Sequence, residues 1–131
     1  VPDLTLVHNG SFSNHNSIRR QLMDQGIEFD TDNDTEVCAR YIGVRLSQGD
    51  DLAEALRRVE KEFDGFFTLL VASKNEFAVM RDSFACKPLV VADHPDYVAV
   101  ASEYQALSDL PGITDARVFE PMPEDVHSWT R

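Results

Sequence analysis

The chain has 131 residues, of which 43% are hydrophobic, and a formal net charge of −11 at pH 7. This size and composition predict one compact domain with its own core. The acidic balance argues against nucleic acid or an anionic membrane surface as the main partner. No stretch reads as a membrane span or a signal peptide. Cys38 and Cys86 have neither metal-type spacing nor a disulfide framework, so we expect a cytoplasmic protein without metal or cofactor.

The opening stretch, residues 4–11, is predicted to be a buried strand that ends at Asn9-Gly10. An amide side chain beside a freely approachable glycine N–H could form an oxyanion site, because two neutral donors would face one developing negative charge. The alternative is a simple turn in which the glycine has a positive φ. The local sequence by itself favours the turn.

Three amphipathic helices are predicted next. The first covers residues 14–25. The second covers residues 35–47, and Asp34 is its natural N-cap. Asp51 and Glu54 have the spacing of a capping box and begin the third helix.

The second half of the chain has the alternating pattern of strands, with turn residues between them. Ser102 and Gln105 resemble a capping box for a short helical turn. Because helices come first and antiparallel strands follow, the sequence predicts an α+β fold and not alternating βαβ units. The predicted strands cover residues 66–72, 76–81, 89–92, 97–101, 116–119 and 126–129, the last two at sheet edges.

Two other site hypotheses for the first half of the chain are rejected, because residues that each site requires are missing. Asp30, Asp32 and Asp34 alternate like ligands of a calcium loop, but the glycine and glutamate that such a loop needs are missing. The simpler interpretation is that these residues form an acidic turn, although Asp34 could also hold a ligand ammonium. His8 and Ser11 lack the nucleophile elbow and a third member of a catalytic triad.

The order of several short motifs along the chain resembles the class II glutamine amidotransferase domain. The resemblance extends to Leu107 and implies an α+β fold that is part of a four-layer αββα N-terminal-nucleophile hydrolase sandwich with antiparallel sheets. The motifs are His8-Asn9-Gly10, Asn14 with Ile18–Leu22, Asn33–Val37, Leu69–Val71, Arg81–Leu89 and Ala101–Leu107.

The resemblance also implies roles for three residues. The Asn9 amide and the Gly10 N–H would form the oxyanion hole, and Asp34 would bind the α-ammonium of glutamine. The implied reaction is hydrolysis of glutamine to glutamate, which supplies ammonia to a partner synthase without a cofactor. The alternative is a non-catalytic binding or regulatory module with the same fold.

The chain departs from the family pattern at position 1, which is Val instead of the nucleophilic cysteine. We therefore expect residues 1–131 to be a single domain that is the C-terminal portion of the family domain and is inactive alone. The absent N-terminal half should leave sheet edges and apolar surface exposed. The C-terminal part of the chain resembles small amidotransferase subunits of glutamate-synthase-like and N-methylglutamate-synthase-like systems. The residues that carry this resemblance are Asp109–Ile113, Ala116–Val118 and Trp129.

Overall fold

The computed structural model describes residues 3–130, which contain three α-helices and seven β-strands. The helices are α1 (His15–Asp24), α2 (Asp34–Ser47) and α3 (Leu52–Glu62). The strands are β1 (Thr5–Phe12), β2 (Gly65–Ala72), β3 (Glu76–Arg81), β4 (Val90–His94), β5 (Tyr97–Ala101), β6 (Arg117–Phe119) and β7 (Val126–Thr130). Within this part of the chain, no helix has the length and apolar character needed to cross a membrane.

The strands form two antiparallel sheets. The first has the order β1-β2-β3-β7, and the second has the order β5-β4-β6. The last two predicted strands, β6 and β7, lie at sheet edges as expected. The predicted α+β class with antiparallel sheets is confirmed.

The sheets stack with the three helices on the outer face of the first sheet. The helix side is filled by the larger core, whose members include Leu22, Ile42, Leu56, Phe67 and Leu69. A second cluster, which includes Val79, Val91 and Trp129, fills the space between the sheets. Short 3-10 turns at Tyr104–Ala106 and Ile113–Asp115 lie near the far face of the second sheet, where Leu107 and Ile113 pack on Val90. The helices, the first sheet and the second sheet are thus successive layers.

The start of α2 differs from the prediction by one residue. Asn33 is the N-cap: its backbone is extended, and its Oδ1 accepts the Glu36 N–H at 2.8 Å. The prediction that Asp34 is the N-cap was therefore wrong. Both residue types cap helices well, so the sequence did not decide between them. As the first helical residue, Asp34 keeps its carboxylate free for another contact.

The capping box predicted for α3 is confirmed, because Asp51 and Glu54 exchange both hydrogen bonds at 2.8 Å. The same reasoning was wrong for Ser102 and Gln105. The 3-10 turn there is preceded by Glu103 and has no side-chain cap hydrogen bond.

The predicted Asn9-Gly10 turn was also wrong. Strand β1 continues through both residues to Phe12, and it stays in register with β2 from Thr5 opposite Ala72 to Phe12 opposite Gly65. Gly10 has a φ of +129°, which a glycine can adopt within an extended strand. Gly10 therefore adopts its positive φ inside a strand and not at a turn.

Candidate active site

Strand β1 has two chemically different faces. Leu6 and Phe12 pack into the core on the helix side, so Asn9 and Ser11 lie on the opposite face, which looks toward the second sheet. Both are exposed, because the second sheet does not cover this edge strand. The Asn9 amide is thus available at the exposed surface of the first sheet.

Gly10 lies where β1 leaves no room toward β2 for a side chain. A Cβ on Gly10 would lie 1.9 Å from the Phe66 carbonyl oxygen, so no other residue fits without a shift of the backbone. The positive φ adds a second requirement for glycine. The positive φ that the local sequence suggested for this glycine is present, but it lies within a strand and not at a turn.

The N–H of Gly10 points to the open edge of the sheet. Its register partner is Phe67, whose N–H donates to the Asp82 carboxylate at 3.1 Å and whose carbonyl accepts the Asp82 N–H at 2.9 Å. Both groups of Phe67 are therefore directed away from β1, and Gly10–Phe67 is a non-hydrogen-bonded pair. Consistently, the Phe12 N–H, two residues farther along β1, donates to Asp34.

Asp34 lies at the same edge. Its Oδ2 accepts the Phe12 N–H at 3.0 Å, and its side chain is 24% exposed. The N–H groups of Gly10 and Phe12 are two strand residues apart, a separation of about 7 Å. The structure thus brings Asn9, Gly10 and Asp34 to one edge of one sheet.

A loop after β3 borders the exposed face of β1 and β2. Asp82 is buried, with 2% exposure, and also accepts the Phe84 N–H at 2.9 Å. Thr68, which lies opposite Asn9, donates its hydroxyl to the Lys87 carbonyl at 3.0 Å. The Phe84 ring meets the Phe66 ring edge-on at 5.3 Å. The loop is therefore fixed to the sheet beside the Asn9 position.

His8 is buried on the helix side, and its side chain is 2% exposed. Its Nδ1 lies 3.0 Å from the Thr35 Oγ1 and 3.9 Å from the Asp34 Oδ1. Burial lowers the pKa of His8, and the nearby Asp34 charge opposes this only in part. Because Ser11 lies on the other face, the structure does not pair His8 with Ser11. Sequence reasoning missed the contact with Thr35, which joins residues 27 positions apart.

The two cysteines lie in different surroundings. Cys38 is fully buried on α2, and burial together with the Asp34 charge raises the pKa of its thiol, so it stays protonated. Cys86, in contrast, is exposed. Between residues 3 and 130, no group of three or more His, Cys, Asp or Glu side chains is arranged to hold a metal ion.

The chain is similar to known proteins over most of its length. A family model described as a glutamine amidotransferase domain matches residues 2–109. The chain is 51% identical over 127 residues to the glutamine amidotransferase-like protein GlxB of Rhizobium meliloti, covering 97% of this chain and 42% of that protein. It is 30% identical over 109 residues to the amidophosphoribosyltransferase of Archaeoglobus fulgidus, covering 83% of this chain and 24% of that protein.

A solved structure gives the same answer for the fold. The glutamine phosphoribosylpyrophosphate amidotransferase of B. subtilis, complexed with ADP and GMP, matches with a TM-score of 0.74 and 28% identity. The match covers 97% of this chain and 29% of that one, so the chain spans well under half the length of each of these relatives. The chain belongs to the glutamine amidotransferase family, in the class II group with the N-terminal-nucleophile hydrolase fold.

Proposed function

We propose that this chain provides the oxyanion hole and the substrate amino-group site of a glutaminase, which releases ammonia for a partner synthase. The observation that carries the proposal is the shared edge of β1. The Gly10 N–H points outward there beside the exposed Asn9, and the Asp34 carboxylate lies two residues farther along.

The spacing along this edge suits glutamine. Standard bond lengths place the α-nitrogen and the side-chain carbonyl oxygen of extended glutamine about 6 Å apart. The Gly10 and Phe12 positions are about 7 Å apart. A carboxylate at one end and two neutral donors at the other would therefore hold the ammonium and the reacting carbonyl of the same substrate.

In the proposed reaction, a thiolate attacks the side-chain amide carbon of glutamine, and the resulting oxyanion is stabilised by the Asn9 amide and the Gly10 N–H. Ammonia leaves with a proton delivered by the base that activated the thiol, and a thioester remains. Water then hydrolyses the thioester to glutamate and restores the thiol.

The attacking thiol would come from outside the described residues. Position 1 is Val, and the resemblance implies that the family nucleophile is an N-terminal cysteine. Cys38 is buried as a protonated thiol, and the exposed Cys86 is not at the position that the resemblance implies. We therefore propose that residues 1–131 are the C-terminal portion of one domain and are inactive alone. The chain spans 42% of the Rhizobium relative, which is consistent with further chain being required.

The surroundings of the site support the same proposal. On the side of β1 away from β2, no strand among residues 3–130 pairs with it, and Val7 and Phe66 are about half exposed. Further chain that pairs with this edge and packs on the adjoining face would cover both.

The test is the Asn9→Ala variant of the intact native protein, assayed for release of glutamate and ammonia from glutamine. Loss of one oxyanion donor should lower kcat by roughly a hundred- to a thousandfold. Ser11→Ala is the matched control, because Ser11 lies on the same exposed face two residues away. Thermal unfolding of both variants checks that the fold is retained, and near-normal turnover by Asn9→Ala would refute the oxyanion assignment.

The nucleophile is tested separately. Mass spectrometry of the intact native protein, treated with an alkylating glutamine analogue, should find the label on an N-terminal cysteine. A protein that has no such cysteine and binds glutamine without hydrolysing it would instead be a non-catalytic amidotransferase-like module.

A further inference from the structure

His8 precedes Asn9 in the sequence but is separated from it by the sheet. Successive side chains of a strand point to opposite faces, so His8 lies on the helix side while Asn9 lies on the exposed side. With its side chain 2% exposed, the imidazole cannot reach a substrate carbonyl held at Asn9. His8 is therefore unsuited to carry protons for that reaction.

His8, Asp34 and Phe12 each contact the other two, and His8 also contacts Thr35. The imidazole Nδ1 lies 3.0 Å from Thr35 Oγ1 and 3.9 Å from Asp34 Oδ1. The other Asp34 oxygen accepts the Phe12 N–H at 3.0 Å. The Phe12 ring in turn stacks on the imidazole, with 4.3 Å between centroids and 17° between planes. Each of these contacts limits the movement of the two residues that it joins.

The second ring nitrogen indicates the tautomer. His8 Nε2 is buried and has no hydrogen-bond partner among the described residues. Buried N–H groups without an acceptor are rarer than buried acceptors without a donor. We therefore assign the proton to Nδ1, where the N–H donates to Thr35 Oγ1 and its positive end faces the Asp34 carboxylate.

We propose that His8 is a positioning residue, which holds the N-terminus of α2 against β1 and thereby fixes the Asp34 carboxylate for the substrate ammonium. This inference rests on the proposed function, because it takes Asp34 as the amino-group site. It assigns His8 to substrate affinity and excludes it from the chemical step.

The test compares two amides at position 8 in the intact native protein. In His8→Asn the amide nitrogen can occupy the place of Nδ1, whereas in His8→Gln it lies near the place of Nε2. We expect His8→Gln to raise KM for glutamine by roughly ten- to a hundredfold with little change in kcat, since a hydrogen bond near a charged group is lost. His8→Asn should restore most of the affinity. An unchanged KM in His8→Gln, or a loss confined to kcat, would overturn the inference.

Thr35 provides a second route if the His8 variants do not fold. Thr35→Val removes the hydroxyl that contacts His8, and Thr35→Ser keeps it. Thr35→Val should raise KM and Thr35→Ser should not. Equal KM values for these two variants would contradict the positioning role.

Asp34→Asn separates failure of this inference from failure of the proposed function. If Asp34→Asn leaves KM unchanged, the amino-group assignment itself is wrong. If Asp34→Asn raises KM and His8→Gln does not, only the positioning role is wrong. If Asp34→Asn and His8→Gln each raise KM, the double variant should have a KM close to that of Asp34→Asn, because His8 acts through Asp34. Multiplied effects in the double variant would show that His8 acts independently and would overturn the inference.

Discussion

At the scale of single residues, Gly10 meets two separate demands. Its φ of +129° disfavours any L side chain, and an added Cβ would lie 1.9 Å from a backbone oxygen of the neighbouring strand. The first demand is a matter of backbone strain, whereas the second is a collision with an atom that cannot rotate away. The two costs can be separated because the chain contains a glycine with only the first.

That glycine is Gly26, which has a φ of +88° and open space around its would-be Cβ. Gly26→Ala should lower the free energy of unfolding by about 1–2 kcal/mol, the cost of a left-handed alanine. Gly10→Ala should cost clearly more and should also lower glutaminase activity in the intact protein, because β1 must move away from β2. Chemical denaturation of both variants measures the difference. Equal costs would mean that β1 relaxes freely at Gly10.

At the scale of secondary-structure elements, the N-terminus of α2 is organised by Glu36. Its carboxylate accepts the N–H groups of Asp30 and Thr31, each at 2.8 Å, and also contacts Arg40. These hydrogen bonds lower the pKa of Glu36 to about 2. The residue thus fixes the loop that leads directly into Asp34.

The expected pH dependence follows from this lowered pKa. Above pH 4.5 Glu36 is ionised in both the folded and the unfolded chain, and its stabilising contribution is fully present. As the pH falls from 4.5 towards 2, the unfolded chain takes up the proton first, so that contribution is lost. Glu36→Gln should remove this part of the acid sensitivity, as measured by denaturation at a series of pH values.

The matched control is Glu54→Gln, because Glu54 occupies the same third helical position in α3. Among the backbone groups of residues 3–130, Glu54 accepts a hydrogen bond from the Asp51 N–H alone, whereas Glu36 accepts from two. At pH 7, Glu36→Gln should lower the free energy of unfolding by about 1–3 kcal/mol and by more than Glu54→Gln. A larger loss in Glu54→Gln would contradict this account of the α2 N-terminus.

The elements that could be predicted are those encoded by local patterns. The amphipathic helices, the Asp51 capping box and the positions of the strands along the chain all follow from spacings within one element. The errors arose where the local sequence suits two residues or two conformations equally well. Asn33 and Asp34 are both good N-caps, and Asn9-Gly10 suits a turn as well as a strand that requires a positive φ.

The geometry of the site was harder to predict from the sequence than the secondary-structure elements. The family resemblance gave Asn9, Gly10 and Asp34, but not the reason why they share one edge. That reason is the contact of Asp34 with Phe12 and of Thr35 with His8, which joins segments 22 and 27 residues apart. No periodicity in the sequence reports such long-range contacts, because they depend on how α2 packs on β1.

At the scale of the whole molecule, the charge and the apolar surface act in opposite directions. The net charge of −11 opposes association between copies of the chain. The edge strand β1 favours association, because it offers unpaired backbone groups beside Val7 and Phe66, which are 56% and 49% exposed. Phe84, which is 73% exposed, extends this apolar surface.

We expect the edge to dominate when the 131-residue chain is prepared alone, so that the chain self-associates as its concentration rises and has no glutaminase activity. Val7→Lys should reduce the association, since a lysine on an edge strand disfavours strand pairing. Met23→Lys is the control, because Met23 is equally exposed, at 56%, but lies on α1. Both substitutions change the net charge by the same amount, so a difference between them isolates the position. Sedimentation velocity over a range of concentrations measures it. A chain that stays monomeric, or two variants that associate equally, would mean that β1 is not the adhesive edge and would remove one support for a strand supplied from outside these residues.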